Sequence, residues 1–207
     1  MKRSTKKIDL RKQLKHLYSA SASKAQTVDV PEFNFTMVDG KGDPKGPEFH
    51  DAINALYSLA YTLKFTIKKE KAIDYPVMAL EGLWWGDDGG FDVADRRSWS
   101  WTAMILQPKF VTSALFRRAV DEVRRKKDIE ALGAARLEAF HEGLSAQILH
   151  VGPYSAESPT IEKLRDYIRE SGGTPRGRHH EIYLGDPRRA APSKLKTILR
   201  QPFDKSA

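Results

Sequence analysis

The chain describes the same arrangement twice. Phe33 to Val38 is a strand-like run that ends in the loop Asp39-Gly40-Lys41-Gly42-Asp43-Pro44. Phe49, Ala52, Ile53, Leu56, Tyr57, Ala60 and Tyr61 then recur at helical spacing, which predicts a helix with one long buried stripe. Val77 to Trp85 and Trp99 to Leu106 follow as strands joined by a polar Gly/Asp loop, and Gln107-Pro108 stops them. The second copy begins at Ala146 to Val151, turns at Gly152-Pro153-Tyr154 and continues in a helix from Thr160 to Glu170 that turns Ile161, Leu164 and Ile168 inward. Strands at His180 to Leu184 and Leu195 to Leu199 close it before Gln201-Pro202. The expected fold is therefore α+β: two pseudo-symmetric strand-helix-strand-strand modules, about 30–108 and 145–203, in one antiparallel sheet with a central ligand cleft. Residues 109–144 form a helical connector of two pieces, the first capped by Thr112.

Composition narrows the class. The 207 residues hold no cysteine, so neither a disulfide framework nor thiolate chemistry is available. Apolar runs are too short to span a bilayer and no hydrophobic leader follows the basic start, which predicts a cytoplasmic protein with no membrane partner. The net charge of +8 raises nucleic acid as a partner, but position argues against a specific one. Residues 1–24 carry eight Lys/Arg against Asp9 alone, a net of +7, and the remainder is nearly neutral with 27 basic and 26 acidic residues. Residues 1–26 read as a basic arm and linker, in which Asp9 opens a short helix whose Ile8, Leu14, Leu17 and Tyr18 dock on the body at 27–207.

All four tryptophans fall between residues 84 and 101, just after Glu81. Trp84, Trp85, Trp99 and Trp101 beside a carboxylate predict a slot for a planar or cationic small molecule, although buried tryptophans also serve as core. Overlaying the two modules matches Glu81 with Glu181. Strand alternation puts His179, Glu181 and Tyr183 on one face and His180, Ile182 and Leu184 on the other. The apolar pair is expected to face the helices, which turns Glu181 and Tyr183 toward a cleft on the opposite side. Glu81 serves either as a counter-charge or as an acceptor of backbone N–H bonds, and Glu157 either as a site carboxylate or as a cap of the second helix. The adjacent His179 and His180 point apart and cannot share a metal, so no metal or other cofactor is expected.

These motifs resemble the GyrI-like small-molecule-binding family, in its stand-alone branch. The resemblance rests on Gly40-Lys41-Gly42-Asp43-Pro44, Ala55-Leu56-Tyr57, Leu80 to Trp85, Trp99-Ser100-Trp101-Thr102, Gln147 to Tyr154, His179 to Leu184 and Lys194 to Pro202. It implies two modules around a ligand cleft, and either a hydrolase of cyclopropane-bearing alkylating compounds or a protein that only binds aromatic or cationic drugs, or one that inhibits gyrase by contact. Opening a spirocyclopropane conjugated to a dienone needs an aromatic slot, a donor for the developing phenolate and a carboxylate to take a proton from water. The tryptophans and His179 supply walls; Tyr57, Tyr154 or Tyr183 supplies the donor; Glu181 or Glu157 supplies the base.

Overall fold

The computed structural model describes residues 5–86 and 98–205. The Gly/Asp loop expected between the two strands of the first module lies mostly outside these residues. In chain order the elements are β1 (Lys6–Lys7), α1 (Leu10–Gln13), β2 (Gln26–Val30), β3 (Phe33–Lys41), α2 (Pro47–Lys71), β4 (Ile73–Asp74), β5 (Leu80–Trp85), β6 (Ser100–Gln107) and α3 (Ser113–Lys126). There follow β7 (Arg136–Phe140), β8 (Gly143–Val151), α4 (Ser158–Glu170), β9 (Gly173–Pro175), β10 (His179–Tyr183) and β11 (Lys196–Lys205). The large sheet runs β2-β8-β11-β10-β5-β6-β3-β7, with β9 added to β11. Its centre is mirrored: β3, β6 and β5 on one side of the midline match β8, β11 and β10 on the other. The fold is α+β with a two-fold repeat about the β5–β10 seam, where His179 opposes Trp84 and Glu181 opposes Gly82.

Local chemistry accounts for the helices. Pro47 opens α2 in a position where its missing N–H costs nothing, and Lys68, Lys69 and Lys71 end it against the negative end of its dipole. Along one stripe, α2 buries Phe49, Ala52 and Leu56 against the sheet. A neighbouring stripe buries Leu59, Leu63 and Ile67 with Leu115, Phe116 and Val123 of α3. Each such side chain stabilises the fold by about 1.5–3 kcal/mol. The Thr112 hydroxyl accepts from the Leu115 N–H at the start of α3, as its capping role requires. On the other half of the sheet, α4 packs Ile161, Leu164 and Ile168 on Ala146, Ile148 and Leu199.

Two expectations need correction. The second helical piece of the connector is only a 3-10 turn at Glu130–Ala134, and the residues after it form β7, which pairs with β3 from Phe33↔Phe140 to Met37↔Arg136. The helices also lie on the Glu181–Tyr183 face, which was expected to carry only the cleft, and not on the Ile182 face. Trp84 and Trp101 are paired across β5 and β6, and both rings pack on Phe49 of α2. His179 opposes Trp84, so His179, Glu181 and Tyr183 point to the helix side. Ile182 is fully buried on the other side instead. Burial of an apolar residue did not mark the helix face because both faces of the central strands are covered.

The second cover is the N-terminal segment. Asp9 accepts from the Lys12 N–H, but the helix it opens spans a single turn. Leu17 is 1% exposed and packs with Val28 and Val30. The carbonyls of His16 and Ser19 accept from the Gln147 side chain, and the Leu17 carbonyl from Arg200. Among the described residues no helix is long and apolar enough to cross a membrane.

Candidate ligand cleft

On the helix side α2 packs over β3 and β6 and α4 over β8 and β11, and the strip formed by β5 and β10 lies between the two helices. At its centre the Tyr183 hydroxyl donates to Glu181 Oε2 at 2.8 Å and accepts from the Trp84 indole N–H at 3.1 Å. His179 Nε2 stands 3.5 Å from the other Glu181 oxygen. Tyr154, from the turn before α4, meets the Tyr183 ring edge-on with centroids 5.6 Å apart. Glu157 is the residue just before that helix, at its N-cap; it is buried, its carbonyl accepts from Thr160 and Ile161, and its side chain makes no capping bond. Tyr57 of α2 is half-buried and packs with Tyr183 against the same apolar cluster.

Burial, then the negative charge of Glu181, raises the pKa of both phenols. Tyr183 is driven well above its ordinary value, with its hydrogen bond to Glu181 adding to the effect, and Tyr154 rises to about 12. Both hydroxyls therefore stay protonated at neutral pH and remain donors. Gly82 lets the Trp84 ring and the Tyr183 hydroxyl close over the strand. A Cβ there would sit 2.7 Å from Trp84 Nε1 and 3.1 Å from the Tyr183 hydroxyl. Gly82→Ala is expected to displace one of these groups, cost about 1–3 kcal/mol of stability and weaken planar-ligand quenching of tryptophan fluorescence. Unchanged ligand titration in a folded Gly82→Ala protein would show that this corner is not part of the binding surface.

The tryptophans divide by sheet face. Trp84 is buried on the helix side, where it packs on Phe49 and donates to Tyr183, and Trp99 packs on it edge-on at 5.4 Å. Trp101, with no exposed surface, is core: its ring lies where a side chain at Gly40 would be, and Phe49 covers it. Trp85 is on the opposite face, with the Arg178 guanidinium carbon 3.6 Å from its ring centroid.

Glu81 is also on the opposite face, because it opposes Ile182 whereas Glu181 opposes Gly82. A two-fold axis normal to the sheet preserves faces, so the predicted equivalence of Glu81 and Glu181 fails. Glu81 instead belongs to a buried network that sequence reasoning did not find. Its oxygens accept from Tyr18 at 2.6 Å and from His180 Nε2 at 3.0 Å. His180 Nδ1 binds Glu142 at 2.9 Å, and Glu142 binds Arg200 at 3.1 Å. With both ring nitrogens donating to carboxylates, His180 is an imidazolium, and two anions balance two cations. Alternation had already placed a histidine beside Ile182 on a buried face; that polar intrusion was the available signal. Among the described residues no cluster of His, Cys, Asp or Glu is arranged to hold a metal ion.

A family model for the GyrI-like small molecule binding domain matches residues 24–202. The chain belongs to this family. Among solved structures, the GyrI-like fold here is similar to an uncharacterized conserved protein from Listeria innocua, at 41% identity and a TM-score of 0.88, over 95% of this chain and 100% of the other. It is also similar to a hydrolase from the same organism, at 40% identity and a TM-score of 0.87, over 96% and 100% of the two chains. The C-terminal domain of EcmrR, 10% identical with a TM-score of 0.55 over 88% and 98% of the chains, shares the fold alone. No curated protein matches the sequence.

Proposed function

We propose that this GyrI-like protein binds planar aromatic electrophiles in the β10 cleft and opens a strained cyclopropane in them by adding water. The observation that carries the reading is the Trp84–Tyr183–Glu181 chain: a buried carboxylate held by a protonated phenol among aromatic walls. Its resemblance to a hydrolase at 40% identity supports the reaction class. Water attacks the cyclopropane methylene while the bond to the spiro carbon breaks and its electrons pass through the dienone to the carbonyl oxygen. Glu181 takes the proton from water. Tyr154 donates to the oxygen as it becomes a phenolate, while the Tyr183 hydroxyl holds Glu181 in place; Glu181 then releases its proton and the phenolate gains one, so that the sum is addition of one water. Glu157 is the second carboxylate beside the bound molecule; the positive end of α4 favours its charge, which suits an electrostatic role better than proton abstraction.

A non-catalytic reading draws on the same carboxylate, since a buried anion among Tyr183, Trp84 and Tyr154 also suits an aromatic cation. Incubation of sub-stoichiometric protein with a spirocyclopropyl dienone in ¹⁸O-water separates the two. Several turnovers with label in the product alcohol are expected. Saturable binding with no product would assign the protein to the binding class.

A further inference from the structure

A second aromatic surface runs outward from the edge of the cleft. Tyr57, Tyr61 and Phe65 are spaced four residues apart along α2, so they form a ladder that starts at the half-buried Tyr57 and continues through the exposed Tyr61 and Phe65. Their ring centroids are 6.4 and 6.2 Å apart and their planes lie within 28° and 23° of parallel. Tyr61 is 48% exposed and Phe65 58%. Among the described residues, these two adjacent, near-parallel rings offer an exposed stacking surface.

The ladder lines an open groove of about 600 Å³ between α2 and α3, a volume in the range of small-molecule sites. The far wall is cationic. α3 carries Arg117, Arg118, Arg124, Arg125 and Lys126 against Asp121 and Glu122. Within the groove, Glu70 is taken by Arg118 and Glu122 by Lys126, which leaves Lys69 and Lys127 in excess on the rim. Lys127 is already held over the groove by its bond to Ser58 at 3.0 Å.

We propose that this groove is a second small-molecule site, separate from the β10 cleft, and that it takes a planar aromatic anion. The ring system stacks on Tyr61 and Phe65 while its charged group meets Lys69 and Lys127. Charge complementarity selects the anion: a cation of the same shape gains the aromatic faces but meets a net positive rim. The site goes beyond the proposed hydrolysis and does not depend on it.

The test uses two probes of one shape, pyrene-1-sulfonate and 1-pyrenemethylammonium, titrated against the full chain. The Tyr61→Ala/Phe65→Ala protein is expected to bind the sulfonate about tenfold or more weakly, as loss of two stacking faces implies. Both residues are exposed, so the fold survives, which circular dichroism verifies. Lys69→Glu/Lys127→Glu is expected to weaken the sulfonate and spare the ammonium, and Glu181→Gln to leave the sulfonate affinity at this site unchanged. Equal sulfonate binding by wild type and the double-alanine protein would overturn the proposal, as would equal binding of the two probes by the Glu181→Gln protein, in which the cleft no longer offers a counter-charge to the ammonium. Sedimentation supplies a third check: self-association abolished by Tyr61→Ala/Phe65→Ala would assign the ladder to a second copy of the chain and reject the site.

Discussion

Glu181→Gln is expected to slow ring opening by about 10²- to 10⁴-fold, the usual range for loss of a general base, while binding of neutral planar ligands persists. Glutamine keeps the size of the side chain and an oxygen able to accept from the Tyr183 hydroxyl, now 2.8 Å away. What it loses is the oxygen that takes the proton. Tyr183 stays protonated in either protein, so the donor that holds this side chain in place is retained. Single-turnover loss of the dienone chromophore, measured beside binding titrations for wild type, Glu181→Gln and Glu157→Gln, separates the roles. Glu157→Gln is expected to slow the reaction less, because its part is electrostatic. Undiminished hydrolysis by Glu181→Gln would remove Glu181 as the base. A selective loss of cation binding in that variant, with neutral-ligand hydrolysis intact, would make it a counter-ion instead.

Much of the fold was legible because both repeats carry the same signals: a strand, a glycine turn, a helix with one apolar stripe, and two strands stopped at Gln-Pro. What failed was information held by partners rather than by the segment. The Arg136–Phe140 strand exists because β3 offers it an edge. Residues 26–30 became a strand by pairing with β8, from Gln26↔Gln147 to Val30↔Gly143, where the sequence reading placed only the beginning of the body. Face assignment failed for a related reason. Ile182 reads as helix-facing only if one face of the sheet is wet, and the N-terminal segment makes both faces dry. Glu81 went to the wrong site for another reason: the overlay that matched it with Glu181 was out of register by one residue, which moves a side chain to the other face. Neither error separated Glu181 from Tyr183, since their common face follows from the two-residue period of a strand whichever side it points to. The tryptophans show the same limit: proximity in sequence gathered four of them, but parity and the bare Gly40 sent Trp85 and Trp101 elsewhere.

The network behind β10 sets the second large effect. Arg200→Met is expected to destabilise the protein by about 3–5 kcal/mol, read as a fall in urea unfolding free energy, because it leaves Glu142 buried with one cation fewer and strips a donor from the Leu17 carbonyl and Gln147. Adding Glu142→Gln to Arg200→Met removes the surplus charge and is expected to recover part of the loss, since Glu81 and His180 then balance each other. A double variant less stable than Arg200→Met would mean that the charges do not act as a unit. The same network predicts a pH window. Burial opposes the charge on His180, but the Glu142 carboxylate and the hydrogen bonds to Glu142 and Glu81 prevail and raise its pKa from 6.5 to about 9. That contribution is complete below about pH 6.5 and is lost as pH rises through 9. Burial likewise opposes the charge on Glu142, yet the charges of His180 and Arg200 lower its pKa from 4.5 to about 2, so its contribution is present above 4.5 and lost as pH falls toward 2. Stability should therefore be flat between these limits and decline on both sides. His180→Gln should flatten the alkaline limb and weaken the acid one, because Glu142 then keeps only Arg200 to lower its pKa; an unchanged decline between pH 6.5 and 9 in that variant would place the titrating group elsewhere.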